Sequence, residues 1–450
     1  MLPYNNQKYI CNKLIEKIHN TKIETNNNIY KFSINLDEKL NFSEILGFFE
    51  VEKKIYFNSV KLNTEFIGLG EAYRVTGTYS NLNETFNTVE ELQKEYSGNI
   101  YSVLTFAELN KEKDQLWSDF NELEFFIPTL EFVNNSSCVT INLMLTKAQL
   151  TNKQDIKALI MDSLKSKSKK TKPFPKLISE KTTPAKSKWT ENIKSLEPKM
   201  KNAELIKIVL ARKSKLTFEN SIEAIQLMKE LLKAEPECSI FYYQLNLTTT
   251  YLAVTPESLF YRHNNQVSAD VLAGTIEVGD TKEKTKQLAH VLQNSKKDNL
   301  EHNEVFHYIE TILKDLSNVV TVKEKLNILK LSKVQHLKSI IEAKVSSDIS
   351  DLTILKKLHP TPAIAGVPKH STLDLIKSIE PFNRGLFAGA IGVLGRHITD
   401  IAVGIRSCLI CKNELCLFVG SGILEASSAD NEWEELNRKV LNYKNIITVC

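Results

Sequence analysis

The chain has 450 residues, 42% of them hydrophobic and 25% charged, with a formal net charge of +4. That leaves room for two or three domains or one large layered one, and the charge is too small for a general nucleic-acid binder. No apolar run reaches the length that spans a bilayer, so no membrane span is expected.

The start, Met1-Leu2-Pro3-Tyr4-Asn5-Asn6-Gln7, has neither a basic stretch nor an apolar core, so no signal peptide is expected. Seven scattered cysteines, an odd number, point to a reducing compartment, and a cytoplasmic location is the expectation. Cys408, Cys411 and Cys416 lie close together in strand-like sequence with no histidine beside them, which reads as small buried thiols rather than a metal site.

Up to about residue 160, strand-like runs alternate with polar turns, as in Ser137-Cys138-Val139-Thr140-Ile141-Asn142-Leu143. No catalytic constellation is visible there, and the region reads as β-rich scaffold. Residues 165–188 are crowded with lysines and carry Pro173, Pro175 and Pro184, which predicts a mobile linker.

Beyond it, residues 204–212 read as a strand apolar on both faces and hence central in a sheet, interrupted by Lys207. An amine held in an apolar wall suits general-base work; a lysine at a strand end also simply snorkels to solvent. Glu257 follows Pro256 between apolar segments. It is an ordinary turn carboxylate if exposed and a proton donor if buried. Leu272-Ala273-Gly274-Thr275 reads as a small-residue turn whose N–H groups could face a ligand.

Residues 281–316 read as one or two helices. Glu301 sits one turn before the apolar stripe of Val305, Ile309, Ile312, Leu313 and Leu316, either on that stripe or just before it begins. His336 and His359 suit structural roles as well as chemical ones. Arg384 beside glycines and Arg406 in an apolar strand each call for an anion.

The last informative stretch is Gly420-Ser421-Gly422, after an apolar strand and before a helix carrying Glu432, Glu435, Trp433 and Leu436. It reads as a glycine turn presenting N–H donors beside a carboxylate pair on one helix face. Such a grouping suits a bound carboxylate and a hard cation; a solvated acidic first turn is the plainer alternative.

Taken together, these segments resemble the chorismate-utilising enzymes: isochorismate synthases, salicylate synthases, and the large subunits of anthranilate and aminodeoxychorismate synthases. The resemblance runs from Trp189 to the C-terminus. It rests on the Lys207 strand, Thr255-Pro256-Glu257, Leu272 to Thr275, Lys297-Asp298-Asn299-Leu300-Glu301-His302, Val334-Gln335-His336-Leu337, the stretches 359–368 and 380–389, Arg406, and 420–439. Gly68-Leu69-Gly70 and Phe126-Ile127-Pro128 extend it to the variable N-terminal part of isochorismate synthases.

The resemblance implies an α+β fold like that of the anthranilate synthase large subunit, with two large, mainly antiparallel sheets flanked by helices. Residues 1–160 would pack into the same sandwich, 161–188 would link, and 189–450 would form the catalytic domain. It implies Mg2+ held by Glu301, Glu432 and Glu435, Lys207 as the base that activates water, and Glu257 as the acid for the departing hydroxyl. Chorismate would be bound by Arg406, Arg384, Lys439, the backbone of Gly420, Ser421 and Gly422, and the wall residues Gly274, Thr275 and His336. Phe387 stands where the family usually has tyrosine.

A lysine at 207, where ammonia-using members have glutamine, points to water as nucleophile. Ala363 and Ala365, where lyase members carry hydroxyl residues, argue against pyruvate elimination. The expected activity is therefore reversible conversion of chorismate to isochorismate, with salicylate synthase as the alternative and a non-catalytic binding protein behind both. The resemblance also implies a monomer without a glutaminase partner.

Overall fold

The computed structural model describes residues 4–21, 28–36, 40–110, 112, 114–135, 138–151, 155–165 and 173–448. Among them the strands form a twelve-stranded and a nine-stranded sheet, every pairing antiparallel, with helices on the outer faces. This is the sandwich expected from the resemblance.

The N-terminal strands do not form a layer of their own. In the larger sheet Lys54–Ser59 pairs with Ser239–Asn246, and in the smaller Ile100–Leu104 pairs with Ala390–Leu394. Both sheets are therefore stitched from distant halves of the chain. The interior is rich in large aromatics; Trp117, Trp189, Tyr101, Tyr243 and Tyr251 are fully buried. Each ring contributes some 150–250 Å² of buried surface, enough to dominate the local packing energy.

The central strand is Lys207–Phe218 rather than 204–212. Its first six residues are buried, and from Lys213 onward burial alternates as the outer face opens. It pairs on one side with Glu414–Ile423 and on the other with Gly366–Val367 and Leu177–Thr183. That last pairing corrects part of the expected linker. Residues 166–172 lie outside the described residues, but Leu177–Thr183 is an edge strand, and Lys186 begins a helix that runs to Lys201. An edge strand needs backbone partners on one side only, so low apolar content does not forbid it.

Two crossovers place the chemistry. The chain leaves Thr249–Thr255 of the larger sheet and passes through Pro256 and Glu257 directly into Ser258–His263 of the smaller one. It returns from Ile398–Val403 through Gly404, Ile405 and Arg406 into Ser407–Cys411. The crossovers lie side by side: Val403 N donates to Glu257 O at 3.0 Å and Val254 N to Arg406 O at 3.2 Å. Proline, lacking an N–H, ends the first strand where it must change sheets. Glu257 and Arg406 thus sit at the seam between the two sheets because the chain crosses there.

Candidate active site

At the start of the central strand Lys207 is 0% exposed. Its ammonium lies 3.0 Å from Glu301 Oε1, yet makes no hydrogen bond among the described residues. Glu301 stands on the helix Lys296–Leu316, whose N-terminus is capped by Ser295. That helix follows a separate one, Lys282–Asn294. The Glu301 carboxylate packs against Gly422. A Cβ there would come within 2.3 Å of its Oε1 and 3.0 Å of Lys207 Cε. Glycine at 422 is thus a matter of space: any side chain would wall the amine and the carboxylate off from the cleft.

Gly420, Ser421 and Gly422 do not form a turn. They continue the strand Glu414–Ile423 and pair with Ala211, Leu210 and Val209, so the expected nest of N–H donors is absent. The carboxylates converge on Ser421 instead, whose Oγ lies 2.6 Å from Glu432 Oε2 and 3.1 Å from Glu435 Oε1. Glu432, Glu435 and Lys439 share one face of the helix Ala429–Thr448 through their three- and four-residue spacing.

Each acid also has its own lysine: Glu301 has Lys207, Glu432 has Lys297 at 2.5 Å, and Glu435 has Lys439 at 2.7 Å. Burial opposes charge on Glu435, but Lys439, Lys297 and the Ser421 hydroxyl hold its carboxyl below the usual range. Lys297 was not singled out as a site residue from sequence, although its place four residues before Glu301 puts both on one helix face.

On the opposite wall, Gly274 also departs from expectation. Residues 272–275 belong to the long strand Gln266–Glu277, and the register slips at Gly274, where φ is +79°. That is a β-bulge, and the left-handed backbone explains the glycine. The bulge brings Gly274 O to 3.2 Å from His336 Nδ1, with Thr275 Oγ1 at 3.1 Å from the same nitrogen. His336 Nε2 accepts from Arg406 Nη2. Burial first, then the charges of Arg406 and Lys439, push this imidazole well below its ordinary pKa, so it is neutral and orients the guanidinium. Arg406 itself has φ +47°, with its carbonyl fixed by Tyr443 Oη at 2.6 Å. Glu257 is buried; burial and then the Asp270 charge lift its carboxyl to about 8, against the pull of Lys207 and Lys439.

A small, partly open cavity lies between these walls. Of the residues expected at the site, Glu257, Gly274, Thr275, Glu301, His336, Arg384, Phe387, Arg406, Gly420, Gly422, Glu435 and Lys439 line it, whereas Lys207, Ser421 and Glu432 stand just behind. Apolar side chains complete the lining, Val209, Leu272, Ile364 and Val419 among them. Phe387 stacks on Phe418 at 5.8 Å, which holds its ring against the cavity.

Arg384 borders the cavity but has little left to offer an anion. Its Nε and Nη2 bind Glu380 at 2.9 and 2.6 Å, and Nη1 and Nη2 donate to Ile364 O and Val209 O, both at 2.7 Å. Four of its five N–H groups are used inside the protein. We therefore expect Glu380→Ala to cost about 3–5 kcal/mol, because a buried guanidinium loses its counter-ion. Denaturant unfolding measures this, with much of the loss recovered in Glu380→Leu/Arg384→Met.

Among the described residues no three metal-ligating side chains stand in ion-holding geometry. The donor set nevertheless fits a hard divalent cation: Glu301, Glu432 and Glu435 offer only oxygen, from three carboxylates gathered around Ser421 and Gly422.

A family profile described as "Chorismate binding enzyme" matches residues 14–447. Isochorismate synthase 2 of Arabidopsis thaliana is 35% identical over 246 residues, covering 54% of this chain and 44% of that protein. The chain thus matches about half the length of that relative. The isochorismate synthase MenF of Pasteurella multocida is 31% identical over 337 residues, covering 73% of this chain and 77% of the other. The solved structure of MenF from Escherichia coli superposes with a TM-score of 0.85 at 23% identity, covering 98% of this chain and 99% of that one, and shows the same fold. The chain belongs to the family of chorismate-binding enzymes.

Proposed function

We propose that the protein is a magnesium-dependent isochorismate synthase: water adds at ring C2 of chorismate as the C4 hydroxyl departs, and the ring double bonds shift between them. One observation carries the reading. A carboxyl that keeps its proton near neutrality lines the cavity at the seam of the two sheets, and a buried amine stands just behind the wall at Gly422 and Glu301.

The residues divide the work. Arg406 and Lys439 present positive charge to the dianionic substrate, and neutral His336 sets the angle of Arg406. Leu272, Ile364, Val419 and Phe387 enclose the ring and exclude water other than the nucleophile. Lys207 Nζ, which makes no hydrogen bond among the described residues, takes the proton of the incoming water across Gly422. Glu257 gives its proton to the C4 oxygen, which leaves as water. Proton uptake and release balance, so the reaction runs in either direction. Glu301, Glu432 and Glu435 would hold Mg2+, which when bound fixes the ring carboxylate and draws off electron density.

The test is to incubate the purified protein with chorismate and magnesium. Isochorismate should form, chelation should stop it and added magnesium restore it; sustained pyruvate release would replace this reading with a salicylate synthase. Glu432→Ala should remove the magnesium response together with turnover. The loss expected is about 10²-fold, or about 3 kcal/mol of charge stabilisation. A variant with undiminished, magnesium-responsive turnover would take Glu432 out of the ion site.

A further inference from the structure

Behind the cavity wall lies a second buried acid that the chemistry above does not use. Leu272 lines the cavity, and two residues back on the same face of the strand Gln266–Glu277 is Asp270, fully buried. Two lysines hold it. Lys338 Nζ lies 3.1 Å from its Oδ2, reaching diagonally from the neighbouring strand, where Lys338 stands opposite Leu272. Lys61 Nζ lies 2.7 Å from its Oδ1. Lys61 belongs to the other sheet, in the turn joining Lys54–Ser59 to Thr64–Leu69. Ser59, the last strand residue before that turn, donates its Oγ–H to Asp400 Oδ2 on Ile398–Val403, so this end of the hairpin meets two buried acids of the facing sheet.

A buried carboxylate clamped by two cations is a weak device for stability alone, because desolvation offsets the attraction. Its position suggests another use. Glu257 feels Lys207 and Lys439, both of which draw its proton off, while Asp270 opposes them. Other charged or titratable groups on the packed elements have partners of their own: Arg262 pairs with Asp351, and Arg406 donates to His336. Asp298 packs at Gly274, Glu301 pairs with Lys207, His302 is held neutral by burial beside Ser339, and Asp400 is held by Ser59.

We propose that Asp270, clamped by Lys61 and Lys338, is a positioning residue whose buried negative charge keeps Glu257 protonated beside Lys207 and Lys439. The inference rests on the reading of Glu257 as the proton donor. It makes the hairpin tip of the N-terminal region part of the catalytic apparatus, although that tip does not reach the cavity.

The signature is a pair of opposite shifts in the basic limb of kcat against pH, measured with chorismate. Asp270→Asn removes the anion and leaves both lysines uncompensated, so the limb moves down by about one pH unit. Lys61→Met removes one screening cation, so the anion acts more strongly on Glu257 and the limb moves up. Lys61 lies at a turn with its side chain 23% exposed, so this variant carries the test even if Asp270→Asn does not fold. Unmoved limbs, or shifts in the same direction, overturn the proposal. Glu257→Gln run in parallel separates the two ideas. If it is inactive and the limbs stay still, only the Asp270 inference falls; if it turns over normally, the proton-donor reading falls with it.

Discussion

Lys207→Ala is expected to lower kcat by about 10²–10⁴-fold, the range a positioned proton-transfer group supplies, while the protein stays folded. The side chain is enclosed, and among the described residues its one close acidic neighbour is Glu301. Truncation therefore removes one ion pair and leaves a small void beside a carboxylate that is 15% exposed. Lys297 sits one helical turn from Glu301 and can compensate part of the charge. The sharper variant is Lys207→Arg. A guanidinium keeps the positive charge and the pairing with Glu301 but does not release its proton at usable pH. If Lys207 were needed only as a cation, arginine would restore much of the activity; as the base that deprotonates water, it should not. Circular dichroism and the denaturation midpoint check the fold, and the rate of isochorismate formation checks the function. An arginine variant with more than about a tenth of wild-type kcat would end the general-base assignment.

Sequence reasoning about the strands holds where local pattern and tertiary setting agree. Lys207 interrupts an apolar run that does become a central strand, and Glu257 follows a proline that does end one. Pairing decided the remainder, and pairing is not local. Gly420-Ser421-Gly422 looks like a turn because glycines usually are one, yet Ala211, Leu210 and Val209 extend the ladder through it. Gly422 makes room for Glu301 instead of bending the chain. Residues 272–275 were misread for the same reason, since only the partner strand bearing His336 reveals a one-residue bulge. Leu177–Thr183 is hidden by the lysine-rich stretch around it and by its own Glu180 and Lys181, which an exposed edge strand tolerates. Arg384 reads from sequence as seeking an anion, and Glu380, four residues earlier just past the end of the helix Lys369–Ile379, already supplies it. Helical i,i+4 spacing is the available signal for Lys297 and Glu301, whereas the chain from Glu380 to Arg384 is not helical and only the fold brings that pair together.

Glu257→Gln should be as damaging as the loss of Lys207, about 10²–10⁴-fold in kcat, and should leave a more robust protein at alkaline pH. In the wild type the carboxyl must carry its proton to donate it, and burial lifts it to about 8. Activity is thus expected to hold through neutrality and fall as pH rises past about 8, as the donor ionises. Stability follows the same proton. The folded-state pKa lies above the ordinary 4.5, so the contribution is fully present below 4.5 and is lost as pH rises through the folded value. Above that value a folded wild-type protein must hold an anion in a desolvated seam, whereas glutamine presents a neutral amide of similar shape at every pH. The variant should therefore lose turnover and yet resist denaturant better than wild type at pH 9. Aspartate at the same place keeps a proton but draws it back by one methylene, and should recover only a fraction of the rate. Parallel kcat and unfolding curves across pH 5–10 test the argument. Wild-type activity that stays flat to pH 10, or a glutamine variant that still turns over, would remove Glu257 from the reaction.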